Sequence, residues 1–448
     1  MSYEIAVASM YALGHELANT PAHKFDLQHM RVLLAALGNP ERRFPSVLIA
    51  GTNGKGSTAA TLASILQVSG VKTGLYTSPH LVRINERIRI DGQIIKDDEF
   101  ALLHDVVDRM AERLVEEGEL PWHPSFFEML TAIAFEHFAR TRIEMVVLEV
   151  GMGGRLDATN VVDPCISVIT DIALDHQKFL GNSVAEIARE KAGIIRPGGV
   201  VVTLPQTPQA NDVLGNTILE LGAKGVNAAQ YVPPVSPGSG EYLARDFAAR
   251  PLQSYPLQVL DRQILVETAL VGRHQLRNIA LAVAAAVELN QQGFTVTAET
   301  IERGIRTTRW PGRFQVYRAS STSPEYVFDV AHNPAGAWAL RSALSALYED
   351  RRLFVVFGAL RDKAIGEMTE ILFPLAERVI ATNADNPRSA TAAEICQAAA
   401  RTSLAIDQAD LASALRHAAE LAGTDDVIVV TGSIYVVGEA MRILGVEV

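Results

Sequence analysis

Short apolar runs alternate with stretches of helical periodicity along most of the chain, the pattern of a largely parallel sheet wrapped by helices. In the first half, the runs predict strands at Ser46–Ala50, Lys72–Thr77, Glu144–Val150, Ile166–Thr170 and Val200–Leu204. Phe126, Met129, Leu130, Ile133, Ala134 and Phe138 recur at helical spacing, so Ser125–Ala139 predicts a helix. Ser183 and Glu186 form a capping-box pair at the head of a helix running to about Ala192. The Pro-, Gly- and Ser-rich Val232–Glu241 predicts a surface loop. An antiparallel segment near Leu257–Leu270 and an Ala-rich helix from Gln275 to Asn290 follow it.

Pro311 and Gly312 break helical continuity in Arg309–Arg313, which places an interdomain junction there and divides the chain into 1–308 and 309–448. A second alternation follows, with strands at Tyr326–Val330, Leu353–Phe357, Val379–Thr382 and Val427–Thr431 and helices at Ala335–Tyr348 and Thr391–Ala400. The expected fold is α/β: a P-loop domain with a mostly parallel sheet, plus a smaller Rossmann-like domain lacking the dinucleotide fingerprint.

The chain's 448 residues exceed one ordinary core, in keeping with two domains. Hydrophobic residues at 48% and charged residues at 20% are values of a globular protein. No apolar run reaches the roughly 18 residues a membrane span needs, and Glu4 stands where a secretory leader carries basic residues. The expectation is cytoplasmic. Cys165 and Cys396, read as core thiols, offer neither a disulfide framework nor a zinc cluster. A net charge of −11 argues against nucleic acid as a partner. It leaves anionic small molecules open, with Lys55, Arg83, Arg87, Arg89, Arg155 and Arg313 as sources of a local positive field.

The sharpest motif is Gly51-Thr-Asn-Gly54-Lys55-Gly56-Ser57-Thr58, which follows an apolar strand and opens a helix. Glycines let the backbone wrap a phosphate, helix amides point at it, and Lys55 neutralises it. A hydroxyl at Ser57 or Thr58 can reach phosphate or magnesium. Gly56 departs from the usual pattern, which has Ser or Thr after the lysine. Glu149 ends an apolar strand, so its carboxylate emerges at the sheet edge where α/β folds bind ligands, as a magnesium ligand would.

The motif continues through Leu75-Tyr-Thr-Ser78-Pro-His80, Ser125-Phe-Phe127-Glu128, Glu149-Val-Gly-Met-Gly-Gly-Arg155-Leu156-Asp157-Ala158 and Asp175-His176. Beyond these come Arg189-Glu-Lys191, Gly272-Arg-His-Gln275, Asn278, Pro311-Gly-Arg313, Asp329-Val-Ala-His332-Asn333-Pro334 and Thr431-Gly-Ser433. From near residue 45 to near residue 435, in order, this set resembles the folylpolyglutamate synthase/dihydrofolate synthase branch of the Mur ligase superfamily.

The resemblance implies ATP-dependent addition of L-glutamate to the carboxylate of dihydropteroate or a reduced folate through an acyl phosphate, with ATP in the cleft between domains. It implies magnesium at two sites. Ser57, Ser78 and Glu149 would serve one, and His176 with a carbamylated Lys191 the other; a monovalent cation is compatible. Lys55, His176, Lys191, Arg313 and His332 become the catalytic set. Gly54, Lys55, Gly56, Ser57, Asn278, Arg313 and Asp329 become the ATP site. Ser125, Phe127, Glu128, Leu156, Asp157 and Ala158 border the pterin. A monomer is expected.

Read without the resemblance, several residues have plainer roles. His176 is then a structural loop histidine, Lys191 a solvated lysine on the helix dipole, Asp329 a strand-end cap, and one of Phe126 and Phe127 helix core. A peptidoglycan Mur ligase would need a whole domain ahead of the P-loop, where this chain has about 50 residues. A monofunctional folylpolyglutamate synthase and a nucleotide-binding scaffold without ligase activity stand as alternatives to a bifunctional enzyme.

Overall fold

The computed structural model describes residues 1–14, 26–234, 243–244, 252–401 and 406–448. Its first sheet has eight strands: β1 (Ser46–Ala50), β2 (Thr73–Tyr76), β3 (Ile88–Ile90), β4 (Gln93–Ile94), β5 (Met145–Glu149), β6 (Ile166–Ile169), β7 (Val200–Thr203) and β8 (Lys224–Asn227). Their order is β4-β3-β2-β5-β1-β6-β7-β8, parallel except at β2–β3 and β3–β4. Both faces of the central strands are buried, which is why β1 and β5 read as unbroken apolar runs.

The helix Phe126–Thr141 covers one face through Met129, Leu130, Ile133 and Phe138. Helices Lys55–Val68 and Arg273–Gln291 cover the other through Leu62, Leu66, Ile279 and Val283. Each fully buried aliphatic side chain of this kind contributes about 1.5–3 kcal/mol. A small antiparallel sheet, β9 (Leu243–Ala244), β10 (Leu252–Val259) and β11 (Arg262–Thr268), extends this half.

A second sheet comprises β12 (Gln315–Tyr317), β13 (Glu325–Asp329), β14 (Leu353–Phe357), β15 (Arg378–Ala381), β16 (Ile406–Gln408) and β17 (Val427–Thr431). Its order is β12-β13-β17-β14-β15-β16, parallel apart from β12, over two cores of its own. The α/β class and the two mostly parallel sheets agree with the pattern in the sequence. The Arg309–Arg313 segment lies between the helix Ala298–Thr307 and β12.

The predicted strands recur within about one residue at either end, but the edge strands β4, β8, β12 and β16, and the three-residue β3, carry no apolar run to announce them. Of the predicted loop Val232–Glu241, only Val232–Pro234 falls inside the described residues. Both cysteines are half-buried rather than core thiols: Cys165 stands just before β6, and Cys396 lies on the helix Ala392–Ala398. Among the described residues, no helix is long and apolar enough to cross a membrane.

Candidate active site

The parallel strands β1, β5 and β6 end side by side, and their loops build one edge of the site. Beyond β1, the helix Lys55–Val68 opens directly after Gly54, so its first amides face outward from the loop. Gly54 has φ of 90°, and a Cβ there would stand 2.1 Å from Asn278 Oδ1. Glycine is therefore required by conformation and by space. A Cβ on Gly56 would stand 3.0 Å from the Trp310 indole, so the departure from the usual P-loop has a packing cause. Lys55 Nζ donates to the carbonyls of Gly51 (3.2 Å) and Thr52 (3.3 Å).

Ser57 is 1% exposed, and its Oγ has no hydrogen-bond partner among the described residues. A phosphate oxygen or a cation would satisfy it. Glu149 ends β5 at 5% exposure and accepts the backbone N–H of Ser78 at 3.1 Å. Burial pushes its carboxyl up, against the pull of Lys55, the Ser78 N–H, Arg313 and Arg87. Among the described residues, no group of three His, Cys, Asp or Glu could hold a metal. The partnerless Ser57 hydroxyl and the Glu149 carboxylate are oxygen donors of the kind magnesium takes, with phosphate and water completing its shell.

Lys191 lies in the last turn of the helix Val184–Ala192 and is 2% exposed, so the solvated role read from sequence alone is overturned. The helix packs beneath the glycine turn after β5, where a Cβ on Gly154 would stand 2.8 Å from Glu190 O. Lys191 shares the buried face of this helix with Ile187 and Ala188, and its Nζ donates to Gly51 O at 2.8 Å. Burial, then the charge of Lys55, lowers its pKa to about 7.

His176 follows β6 with a left-handed φ of 49°. Burial lowers its pKa to about 4, which keeps the ring neutral and able to donate a lone pair. His332 is also lowered to about 4, first by burial. Its Nδ1 lies 2.9 Å from Val330 O and so carries the proton, which leaves Nε2 as the acceptor. Asp329 Oδ2 accepts Phe314 N–H and Oδ1 accepts Ala331 N–H, both at 2.9 Å. It therefore ties the chain around Arg313, and Asn333 is the residue that caps the following helix. The half-buried Arg313 feels both Asp329 of the second sheet and Glu149 of the first. Asn333 Nδ2 donates to Asn53 Oδ1 at 2.9 Å, a direct contact between the halves.

A cavity of about 760 Å³ opens between the two halves. Ser125, Phe127, Glu128, Leu156, Asp157 and Ala158 all line it, together with Ser78, His176, Arg313 and His332. Gly54, Lys55, Gly56, Ser57, Glu149, Lys191, Asn278 and Asp329 are not part of that lining. They lie around the phosphate loop, at the ends of β5 and β13 and on the neighbouring helices. Phe126 is 4% exposed and stacks on Tyr11, whereas Phe127 is half-buried and packs over Gly151, where a Cβ would stand 2.6 Å from its ring.

Glu128 Oε2 accepts Ser125 N–H at 2.8 Å and its Oε1 meets His29 Nδ1 at 3.0 Å. Asp157 accepts the backbone N–H groups of Met152 (2.9 Å) and Thr159 (3.0 Å), which shapes the turn that carries Leu156 and Ala158. Of the arginines expected to supply a positive field, Arg83 is paired with Asp97 and Arg155 with Glu190, which leaves those two largely neutralised. Lys363 and Arg388 also line the cavity, and sequence reasoning gave neither a role. Nothing in the local pattern Arg361-Asp-Lys363 singles it out.

Residues 126–286 match the Mur ligase middle domain, and residues 312–434 match the glutamate ligase domain of the Mur ligases. The chain is 32% identical over 422 residues to dihydrofolate synthase/folylpolyglutamate synthase of Bacillus subtilis, covering 93% of this chain and 94% of that one. Its identity to the enzyme of the same name from Escherichia coli is 34% over 432 residues, covering 96% and 94%. Among solved structures, Mycobacterium tuberculosis folylpolyglutamate synthase complexed with ADP is similar at a TM-score of 0.86 and 30% identity, covering 99% of each chain. Full-length similarity at this identity, on the same two-sheet fold, means that the chain belongs to the folylpolyglutamate synthase/dihydrofolate synthase family of the Mur ligase superfamily.

Proposed function

We propose that this ATP-dependent ligase joins the amine of L-glutamate to the carboxylate of both dihydropteroate and reduced folates, acting in the cytoplasm as a monomer of two domains, 1–308 and 309–448. The observation that carries the reading is a cavity bordered by aromatic and carboxylate groups at the ends of β5 and β6 and facing the second sheet, with the phosphate loop following the neighbouring strand β1. The two-activity names of the Bacillus and Escherichia relatives support the bifunctional form.

A carboxylate anion does not accept an amine at neutral pH, so the substrate carboxylate first takes the γ-phosphoryl group of ATP, releasing ADP. Glutamate's nitrogen then attacks the acyl phosphate, the amide bond forms, and phosphate leaves with the C–O bonding pair. Negative charge moves at each step, so preorganised cations supply most of the catalysis. Lys55 and the helix amides cradle the phosphates, and Arg313 braces them from the side of the second sheet. Asn278 and Asp329 hold adenosine, and Phe127 offers a ring face to the pterin beside Leu156, Asp157 and Ala158. Ser125 and Glu128 fix the start of the helix that carries Phe127.

Ser57, Ser78 and Glu149 would hold one magnesium ion, and His176 with Lys191 a second, a role for which Lys191 must first become an anion. Its buried amine, with a pKa of about 7, is partly neutral at physiological pH, the form that reacts with carbon dioxide to give a carbamate. Bound magnesium would neutralise phosphate charge. His332 stands where the second domain meets the incoming glutamate.

The test is ADP release by purified protein with magnesium, ATP and glutamate, with dihydropteroate in one reaction and tetrahydrofolate in another, and product mass read in parallel. Glutamate-dependent turnover in both is expected. Turnover with tetrahydrofolate alone would make the enzyme monofunctional. Glutamate-independent or absent release in both would remove the ligase reading and leave a nucleotide-binding scaffold.

A further inference from the structure

Asp175 stands in the loop after β6 and Lys363 in the loop after β14, so the two come from different sheets. Their side chains are 10% and 7% exposed, and Lys363 Nζ donates to Asp175 Oδ1 at 2.6 Å. The same oxygen accepts the backbone N–H of His176 at 2.8 Å. Asp175 Oδ2 faces His176 Nε2 at 3.9 Å and His332 Nε2 at 3.8 Å. One buried carboxylate thus binds a cation from the second half and the backbone of His176 in the first, with the two neutral rings beside it. Neither charge is stable when buried alone, so each half supplies what the other requires, and the pair forms only when the halves are apposed.

We propose that Asp175 and Lys363 are positioning residues for the ligation: their buried ion pair docks the second sheet's half onto the P-loop half, holds His176 by its backbone, and so brings His332 of the second half up to the site. The proposal rests on the ligase reading above. Lys363 also lines the cavity, where a free ammonium would bind a substrate carboxylate. Its short contact with Asp175 assigns it instead to the junction between the halves. Backbone attachment adds to this, because the oxygen that takes the lysine also holds His176 in its left-handed conformation.

Wild type, Lys363→Met, Lys363→Arg, Asp175→Asn and the double variant Asp175→Asn/Lys363→Met would be compared by glutamate-dependent ADP release, with KM measured for each substrate. Small-angle scattering would report how closely the halves approach with ADP and magnesium. Lys363→Met is expected to lower kcat at least ~30-fold while each KM stays within about threefold. Lys363→Arg should keep activity within about fivefold, and the double variant should be no worse than Asp175→Asn alone, since the two residues act as one unit. Scattering should show Lys363→Met to be more open than wild type.

If Lys363→Met fails to fold, the isosteric Asp175→Asn carries the same kinetic signature. Losses that multiply in the double variant, or a raised KM for glutamate with kcat retained, would make Lys363 a direct substrate ligand and overturn the proposal. Unchanged kcat in both single variants would overturn it too. A wild-type enzyme with no glutamate-dependent release would refute the ligase reading itself.

Discussion

Glu149 is a buried carboxylate with one backbone donor and cations around it, which makes it dependent on whatever positive charge enters the site. Glu149→Gln keeps the shape and the Ser78 contact but removes the charge. It should lower kcat by about 100-fold or more and shift the magnesium concentration for half-maximal ADP release upward. A magnesium titration of both proteins checks this, and an unshifted midpoint would take Glu149 out of the metal site. Lys191 is a second residue whose chemistry follows from burial. Carbamate formation consumes the neutral amine, so occupancy should rise with bicarbonate and with pH through about 7. Carbon NMR with labelled bicarbonate would show a carbamate signal that is absent from Lys191→Met. No signal at saturating bicarbonate would leave Lys191 an ordinary buried amine donating to Gly51.

The phosphate loop and its helix show what an element adds to a motif. Gly56 lies in the first helical turn without positive φ, so alanine would suit the backbone there; the obstacle is the Trp310 ring at 3.0 Å. Gly56→Ala should therefore weaken nucleotide binding about tenfold, a cost of ~1–3 kcal/mol for overpacking. Gly56→Ala/Trp310→Leu should recover most of it. ADP titration calorimetry decides the matter, and no recovery in the double variant would mean that the ring is not the cause. The loop itself was legible in the sequence because its function is carried by consecutive backbone amides. Strands β1, β5, β14 and β17 were legible because burial on both faces makes them continuous apolar runs. Lys363 was not legible, because its partner stands 188 positions away on another sheet. Lys191 shares the buried face of its helix with Ile187 and Ala188, so its inward turn follows the helical period; what stayed hidden is its partner, the Gly51 carbonyl 140 positions away.

At the scale of the whole molecule, the site between the halves concentrates groups that resist protonation, and this sets how the protein responds to acid. His176, His274 and His332 are lowered by burial from the ordinary 6.5 to about 4. Between those values the unfolded chain binds protons that the folded one does not, so stability falls as pH drops through the window and the full penalty is present below about 4. Asp175 is pushed up by burial, but His176, Lys363 and His332 hold it well below the usual carboxylate range. The stability it contributes is therefore lost only as pH falls below the ordinary carboxylate value. Lys191 acts in the opposite pH range, because stability rises with pH from about 7 toward the ordinary lysine value as its buried charge is relieved. Urea midpoints of the nucleotide-free protein should hence fall steadily from pH 6.5 to 4. His104 and His137 are lowered by burial as well, so His274→Asn should remove part of that slope and not all of it. A midpoint flat across this range would mean that the rings are not held below their ordinary value in the folded protein.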